Sequence, residues 1–421
     1  MITASRTTGM RSIICSNRWS IVGDCELTAA TAISNRMFTT TTVSSSKSYH
    51  MLIRRNCNTT TYTYTTPVLN QCIRGIRYLS IHNHHPKLTY DAVSFPQYME
   101  KRYYASSIHQ PKLAYEWIIE GKQSRLNDND IIKSVHEDGK EVIVFLHGLL
   151  GNAKNLRSPA KKLTQQLTNY NALLLDIRGH GNSTSDPSYF EQPHTFTSCV
   201  NDILDTLKPL KLTGTNSPTA ICGHSLGGRI ALQYSHALCT TDNTQQIEAP
   251  RQTWILDSVP GKADPSVHGV LNAISSLPTP IPSKTWLVDT LVKEHKMNKA
   301  IAQWIATNLR DNGDDALEWI FNLHIANELV QNFSDQDFTK MVHDITHPSS
   351  NDNDVKRNNS TVQLVMAGKN KSWSEEIIEE LESIPSFRDR LHLHTLDKAG
   401  HWVHVDDPEG LLKVMVEGLE H

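Results

Sequence analysis

Short apolar runs alternate with helical patterns through the middle of the chain. The stretch EVIVFLHG (141–148) is continuously apolar and rich in β-branched residues, which predicts a buried strand. The runs KLAYEWIIEG, ALLLDIRGHG, TAICG and TWILDSV read as further strands, and helical periodicity over 153–167, 197–207 and 226–237 separates the later ones. This alternation predicts an α/β fold with a mostly parallel central sheet and helices on both faces.

The alternation stops after Gly261. Residues 263–358 carry proline punctuation, then helical patterns such as IAQWIATNL without a convincing strand, and they end in a polar loop. The strand patterns TVQLVMAG and LHLHTLD follow, and a last helical pattern covers 409–419. We interpret residues 263–358 as a helical cap with a polar loop, inserted into a core formed by residues 110–262 and 359–421.

The first 90 residues differ in composition from the rest. They hold ten Lys and Arg but only Asp24 and Glu26 as acidic residues, and they are rich in Ser and Thr. This composition is typical of an organelle transit peptide, and the alternative is a disordered leader without a targeting signal. Arginine outnumbers lysine and RGIRYLSIH resembles a matrix-processing site, so we predict the mitochondrial matrix, with the plastid as the alternative.

Composition also excludes several classes of protein. No secretory h-region follows the first charges, and no run of about 18 apolar residues offers a transmembrane segment. The chain after residue 90 holds 31 basic and 42 acidic residues, from totals of 41 and 44, which argues against nucleic-acid binding. Its three cysteines have no CxxC spacing, which argues against a zinc site or a disulfide framework: Cys199, Cys222 and Cys239.

One serine has the sequence context of a nucleophile. TAICGHSLGGRIAL places Ser225 in a G-x-S-x-G pattern between an apolar strand and a helix. A serine on such a turn is presented to substrate, and small neighbours let the strained backbone form. Gly223, Gly227 and Gly228 supply them, so we predict a nucleophile elbow; the alternative is a serine in a glycine-rich loop.

A serine hydroxyl needs a base, and the base needs an orienting carboxylate. The chain order for a serine elbow of this kind is serine, acid, histidine. His401, in AGHWVHVDDPEGL between the last strand and the last helix, fits the base. The alternatives are an exposed loop histidine or a metal cluster with His392, His394 and His404.

The acid is the less defined member of the triad. Its commonest place is the loop after TVQLVMAG, but that loop reads KNKSWSEE and begins without an aspartate. Asp257 ends the strand TWILD, from which a carboxylate can reach His401, and we predict it as the acid. A turn-forming or helix-capping aspartate is the alternative for Asp257, and Glu375 and Glu376 are the fallback acids.

The oxyanion formed by attack on a carbonyl needs two preorganised donors. We predict the backbone N–H of Leu226, which follows the serine, as one donor. The second is the N–H of Leu149, after the strand end His147-Gly148 in LHGLLGN. The alternative is an ordinary glycine-rich turn after a buried strand.

These segments together resemble an α/β-hydrolase, and more narrowly the abhydrolase-domain-containing protein 11 family with its bacterial short-chain esterase relatives and plant organellar homologues. The resemblance covers residues 110–421, through FLHGLLGNAKN, DIRGHGNS, CGHSLGGRIAL, ILDSVPG and AGHWVHVDDPEGL. It implies the α/β-hydrolase fold with an inserted helical cap. In the bacterial relatives the triad acid follows the strand after the nucleophile helix, which matches Asp257. Members are also described with an acid beside an Asn-Leu pair in the cap, where this chain has His324.

The resemblance implies hydrolysis of small esters, with thioesters or lipids as further substrates. We therefore predict a serine hydrolase that cleaves carboxylic esters or thioesters through an acyl-enzyme, with the catalytic triad Ser225, His401 and Asp257 and with no cofactor or metal. Its partner would be a small-molecule or lipid acyl ester. The alternatives are a triad-based lyase or C–C bond enzyme of the menaquinone-synthase type and a ligand-binding pseudo-hydrolase. Three tryptophans are expected to line or cover an acyl pocket, or else to be plain core: Trp286, Trp304 and Trp319.

Overall fold

The computed structural model describes residues 112–124, 128–184, 189–240, 246–311, 313, 317–347 and 360–420, and the backbone of seven strands before them. Those strands are β1 (Thr3–Thr7), β2 (Met10–Ile14), β3 (Ala32–Ile33), β4 (Arg36–Met37), β5 (Thr39–Ser45), β6 (Ser48–Arg55) and β7 (Asn58–Tyr64). An antiparallel sheet has the order β1-β2-β5-β6-β7, and β3 pairs with β4. The transit-peptide interpretation falls mostly outside the described residues and stays a prediction.

Residues Ser106–His421 form a separate compact unit. Its first part contains β8 (Tyr115–Ile119), β9 (Lys122–Gln123), α1 (Asp128–Glu137), β10 (Glu141–Leu146), α2 (Arg157–Gln166), β11 (Tyr170–Leu175), α3 (Phe196–Leu207), β12 (Ala220–His224), α4 (Leu226–Thr240) and β13 (Gln252–Leu256). Short 3₁₀ helices cover Ala153–Leu156 and Gly181–Thr184.

The rest of this unit contains α5 (Pro265–Ser275), α6 (Lys284–Lys293), α7 (Lys299–Ala306), β14 (Leu309–Asp311), β15 (Leu317–Trp319), α8 (Leu323–Gln331), α9 (Phe338–Thr346), β16 (Thr361–Ala367), α10 (Glu375–Glu382), β17 (Leu391–Leu396), α11 (Val403–Asp406) and α12 (Pro408–Leu419). A further 3₁₀ helix covers Asn332–Asp335. None of the described helices is long and apolar enough to cross a bilayer.

The eight-stranded sheet has the order β17-β16-β13-β12-β10-β11-β8-β9. The strands from β17 to β11 in this order run parallel, and β8 and β9 are antiparallel to their neighbours. Helices α2 and α12 pack on one face, and α3 and α4 pack on the other. The predicted α/β-hydrolase fold is confirmed.

Burial of both faces explains why the central strands are continuously apolar. Ile143 and Phe145 of β10 face the core beside α2 and α12, whereas Val144 and Leu146 face the core beside α3 and α4. All four side chains are at most 1% exposed. The register pairs Leu146 with Gly223, so the carboxyl ends of β10 and β12 lie side by side.

Five helices lie between β13 and β16: α5 to α8 enclose an apolar cluster of their own, whereas α9 packs against α4 and β16. The structure differs from the sequence interpretation in two places. A hairpin, β14–β15, occurs in this segment, and its three-residue strands are too short to show alternation. Helix α1 forms in the polar stretch before β10, because Ile131, Ile132 and Val135 bury one side of an otherwise charged segment.

Four buried histidines lie at or after the carboxyl ends of the sheet strands: His147, His180, His224 and His404. Burial lowers the pKa of His147 and His404 to about 4 and that of His180 to about 3. Burial also holds the pKa of His224 well below its ordinary value, with the nearby histidines adding to the effect. All four rings are therefore neutral in the folded protein at neutral pH.

These histidines predict a loss of stability in mild acid. Unfolded histidine protonates near pH 6.5, whereas the folded rings stay neutral to about pH 4, so the unfolded chain binds more protons between these values. The free energy of unfolding should therefore fall as the pH is lowered through this window, by about 1.4 kcal/mol per pH unit for each histidine. Urea denaturation of the full chain between pH 4.5 and 6.5 measures the slope.

The variant His180→Leu should reduce this slope by the share of one histidine. The same substitution at the exposed His268 controls for the loss of a histidine side chain. An unchanged slope in His180→Leu would mean that His180 is not held neutral by the fold.

Candidate active site

Ser225 is the single residue between β12 and α4. Its φ is 54°, a left-handed value that a residue with a side chain adopts only under strain. Its N–H donates to the carbonyl of Leu256 (2.9 Å), and its own carbonyl accepts from the N–H groups of Gly228 (2.9 Å) and Arg229 (3.2 Å). The adjacent strand and the first turn of α4 thus hold the strained backbone in place.

The backbone packs too closely around this turn for side chains. A Cβ atom at Gly223 would lie 2.0 Å from the carbonyl oxygen of Gly227, and one at Gly227 would lie 2.3 Å from that of Leu146. A Cβ at Gly228 would lie 2.9 Å from the Cβ of Ser258. Glycine at these positions lets α4 start directly against β10 and β12.

Asp257 follows β13, and its buried carboxylate accepts four hydrogen bonds. One oxygen accepts from the N–H of Ala367 (2.9 Å) and the indole N–H of Trp373 (2.7 Å). The other accepts from the Asn370 amide (2.8 Å) and from Nδ1–H of His401 (2.8 Å). Because a carboxylate only accepts, the His401 proton is on Nδ1, and the neutral ring keeps Nε2 as a base.

The loop after β16 supplies donors to Asp257 instead of an acid. Asn370 and Trp373 lie in this loop, and the sequence interpretation missed their role as donors to Asp257. The signal that could have revealed them is the presence of two donor side chains in the loop where the acid usually lies. Glu375 and Glu376 begin α10 and are exposed, and neither contacts His401 among the described residues. Bonds from Ser374 and its own backbone N–H lower the pKa of Glu376.

His401 is also fixed through its backbone. Nε2–H of His224 donates to the carbonyl of His401 (2.8 Å), and the two rings pack with centroids 4.8 Å apart. His224 directly precedes Ser225, so the histidine loop is attached to the elbow itself. The imidazole remains accessible, since 44% of the His401 side chain is exposed.

The chain after β10 makes a tight turn beside the elbow. The N–H of Gly151 donates to the carbonyl of Gly148 (3.1 Å), and Leu150 has a φ of 59°. Nδ1–H of His147 donates to the same carbonyl (2.8 Å), while its Nε2 accepts from the N–H of Ile177 (3.0 Å). The neutral ring can therefore hold this turn against the loop that follows β11.

The two predicted oxyanion donors belong to segments that meet at Ser225. A Cβ at Gly148 would lie 3.5 Å from the Cβ of Ser225 and 3.0 Å from Nδ1 of His224, so the turn touches the elbow. Leu149 lines the adjacent cavity, and Leu226 is the first residue of α4 with a buried side chain. The donor role of their N–H groups stays a prediction.

A cavity of about 730 Å³ contains these groups. Ser225, Asp257 and His401 all line it, although the structure has no hydrogen bond between the Ser225 hydroxyl and His401. Catalytic hydrogen bonds are often loose before substrate binds, so this geometry remains compatible with proton transfer. The part of its wall contributed by cap residues is largely apolar: Val267, Val270, Ile301, Trp304 and Phe333.

Of the three cap tryptophans, Trp304 lines the cavity, where its ring lies 5.8 Å from that of Trp402. Trp286 and Trp319 instead pack against the apolar cluster of the cap, and Trp319 stacks on Phe321 with centroids 4.9 Å apart. The expectation that tryptophan covers the pocket therefore holds for one of the three.

The alternative metal cluster is not assembled. His392 and His394 line a groove near the amino ends of β16 and β17, and His394 bonds the Gln363 amide oxygen at 2.8 Å. His401 and His404 line the cavity at the opposite edge of the sheet. The structure thus does not bring these histidines together.

Another group of potential ligands lies beside α8. In the described part of the chain, ligand atoms of His194, His324 and Glu328 lie within 4.8 Å of one another. Arg178 donates to Nδ1 of His194 (3.0 Å) and is paired with buried Asp202 (2.6 Å). A metal-bound histidine donates its second ring N–H to an acceptor, whereas the guanidinium beside His194 is itself a donor and cannot accept. We therefore assign this cluster to the attachment of α8 to the core.

Comparison with solved structures agrees with this architecture. A structure described as Marine microorganism esterase superposes with a TM-score of 0.51 at 19% sequence identity, covering 72% of this chain and 98% of that one. This likeness concerns the fold alone.

Curated proteins of similar sequence share most of their length with this chain. A putative esterase/lipase of Haemophilus influenzae is 22% identical over 65% of this chain and 81% of its own. The sn-1-specific diacylglycerol lipase ABHD11 of Mus musculus is 25% identical over 66% and 80%, and Esterase YbfF of Escherichia coli is 22% identical over 65% and 91%. Residues 143–414, which are more than half of the chain, match the model of the Alpha/beta hydrolase family. The chain therefore belongs to the alpha/beta hydrolase family.

Proposed function

We propose that this protein is a serine hydrolase that cleaves carboxylic esters or thioesters. The observation that carries the proposal is the hydrogen bond between buried Asp257 and His401 (2.8 Å) in the cavity that Ser225 also lines. A base oriented by a carboxylate beside a strained serine is the arrangement that activates a hydroxyl. The esterase and lipase names of the relatives support ester hydrolysis.

In the first half-reaction, the Ser225 oxygen attacks the substrate carbonyl carbon while its proton passes to Nε2 of His401. Asp257 stabilises the imidazolium that forms and does not itself take the proton. The N–H groups of Leu149 and Leu226 would hold the oxyanion of the tetrahedral intermediate. Collapse of the intermediate breaks the bond to the leaving alcohol or thiol, which takes the proton from His401.

In the second half-reaction, water attacks the acyl-enzyme. His401 takes a proton from the water and returns one to the Ser225 oxygen as the acyl bond breaks. The products are the carboxylic acid and free enzyme, and no redox group or metal is required by this balance. Because both half-reactions use the same groups, loss of any one of them should stop turnover.

The cavity wall favours an apolar acyl group. The cap residues Val267, Ile301 and Trp304 face it without charge, whereas Asn370, Ser372 and other polar side chains lie on the side toward His401. We propose that the acyl chain lies against the cap and the leaving group toward the polar side. A volume of about 730 Å³ is enough for a small-molecule or short lipid ester.

We further propose a mitochondrial matrix location, on the arginine-rich and acid-poor composition of the first 90 residues. The tests that follow also distinguish this function from the two alternatives, a non-catalytic pseudo-hydrolase and a lyase.

The first test is labelling of the full chain with a fluorophosphonate probe. The probe reacts with an activated serine, so wild type should label and Ser225→Ala should not, with ester turnover at least about 10³-fold lower in the variant. Labelling is read from a gel and confirmed by mass spectrometry of the modified peptide.

The control for this test is Ser383→Ala, which removes an exposed hydroxyl outside the cavity and should leave both readings unchanged. Folded wild-type protein that takes no label would support the pseudo-hydrolase reading. Labelling without ester or thioester turnover would favour the lyase reading.

The second test moves the acid between two loops. Asp257→Asn should lower kcat by about 10³- to 10⁴-fold, because the imidazole loses its orienting carboxylate. The double variant Asp257→Asn with Asn370→Asp should regain at least tenfold, since the two side chains are 2.8 Å apart and exchange their roles. Steady-state kinetics on one activated ester measures both.

Glu376→Gln is the matched control for the carboxylate test and should retain full activity. A large loss in Glu376→Gln with little loss in Asp257→Asn would overturn the choice of Asp257 and restore the acid after β16.

The leader prediction is tested by fusing residues 1–90 to a fluorescent protein. The fusion should enter mitochondria, because an arginine-rich, serine-rich and acid-poor leader has the composition of a mitochondrial transit peptide. Replacing the six arginines of residues 1–60 by glutamine should abolish import. A plastid or cytosolic signal for the unaltered fusion would contradict the proposal.

A further inference from the structure

Arg229 is a buried cation one helical turn after Ser225. Its side chain is inaccessible to solvent, and among the described residues no carboxylate contacts it. Burial lowers the pKa of Arg229 to about 10, so the guanidinium remains charged at neutral pH. A buried charge without an ionic partner is costly and needs other polar contacts to be tolerated.

The first set of contacts is with the chain that leaves the core for the cap. The guanidinium donates to the carbonyl of Val259 and to that of Gly261 (2.8 Å). This segment begins two residues after Asp257, and Val259 and Pro260 line the cavity. One side chain thus binds both carbonyls at the outgoing crossing.

The second set is with the chain that returns from the cap. The Arg229 side chain donates to the amide oxygen of Gln336 (3.4 Å), and the Gln336 amide donates back to the carbonyl of Arg229 (2.9 Å). The guanidinium also lies 4.9 Å from the ring centre of Phe333 and 5.3 Å from that of Phe338, within cation–π range. These three residues span the end of the cap and the start of α9.

All of the contacts that compensate the Arg229 charge therefore come from the two places where the chain crosses between core and cap. We propose that Arg229 is a positioning residue that fixes both cap crossings to the nucleophile helix and so sets the distance between the apolar cap wall and Ser225. Phe333, which stacks near Arg229, is itself part of that wall. This inference rests on the proposed function, since it concerns where the acyl chain binds.

The consequence is selectivity for acyl length. A short acyl group reaches the serine and its base without touching the cap, whereas a long one must lie against Val267, Ile301 and Phe333. Lysine at position 229 keeps the charge but, as a single point donor, cannot bind two carbonyls and a glutamine while stacking between two rings. The cap should then lose its fixed position while the triad keeps its own contacts.

The experiment compares p-nitrophenyl acetate and p-nitrophenyl octanoate in the full chain with Arg229→Lys. We expect KM for the octanoate to rise about tenfold and kcat for the acetate to stay within about threefold of wild type. Amide hydrogen exchange should increase across α5 to α8 and remain unchanged in β10 and β12. A purely structural role would instead lower kcat for both esters together, through a smaller folded fraction, and leave both KM values alone.

Gln336→Ala is the second variant, for the case in which Arg229→Lys does not fold. It removes the returning crossing's polar contact and leaves the contacts with Val259 and Gly261, so the octanoate KM should rise about threefold. If the ratio of the octanoate KM to the acetate KM is the same in wild type and in the variants that fold, the inference is overturned. Absence of fluorophosphonate labelling in wild type would instead overturn the proposed function, so the two failures are distinguishable.

Discussion

The carboxylate of Asp257 is buried, and the position of the proposed catalytic groups depends on how its oxygens are hydrogen-bonded. Four donors from three segments converge on its two oxygens: a strand-end amide, an indole, a side-chain amide and an imidazole. An ionised group in this position is tolerated only while those donors are present. The same bonds therefore hold the loop after β16 and the histidine loop at fixed positions relative to β13.

The segments of the proposed active site are also held by strained backbone at the same edge of the sheet. Leu150, Ser225 and Asp257 all have left-handed φ values, between 44° and 59°. Each lies just after a neighbouring strand, β10, β12 or β13, and each turn brings a side chain or an amide toward one cavity. Because neighbouring strands are in parallel register, their ends are adjacent, and the strain is stabilised by the burial of the strands themselves.

The sequence was sufficient to predict the fold, for a local reason, whereas the catalytic roles of Ser225 and His401 stay predictions. Buried parallel strands are continuous apolar runs, and a nucleophile elbow is a short motif around one serine, although Gly227 and Gly228 are also required by contacts with the distant Leu146 and Ser258. The donors to Asp257 could not be predicted in this way, because Asn370 and Trp373 are more than 110 residues away from it in sequence. Helix α1 and the hairpin β14–β15 were missed because their apolar positions are few.

Leu150 belongs both to the turn beside Ser225 and to the apolar cluster of the cap. Its side chain is 1% exposed and belongs to the apolar cluster of α5 to α8, while its backbone provides the left-handed position of the turn beside Ser225. Burial of the leucine side chain in this cluster offsets the free-energy cost of its left-handed backbone. Cap and core are thus coupled through this one residue, and a cap transplanted from a relative would have to bring a matching pocket for it.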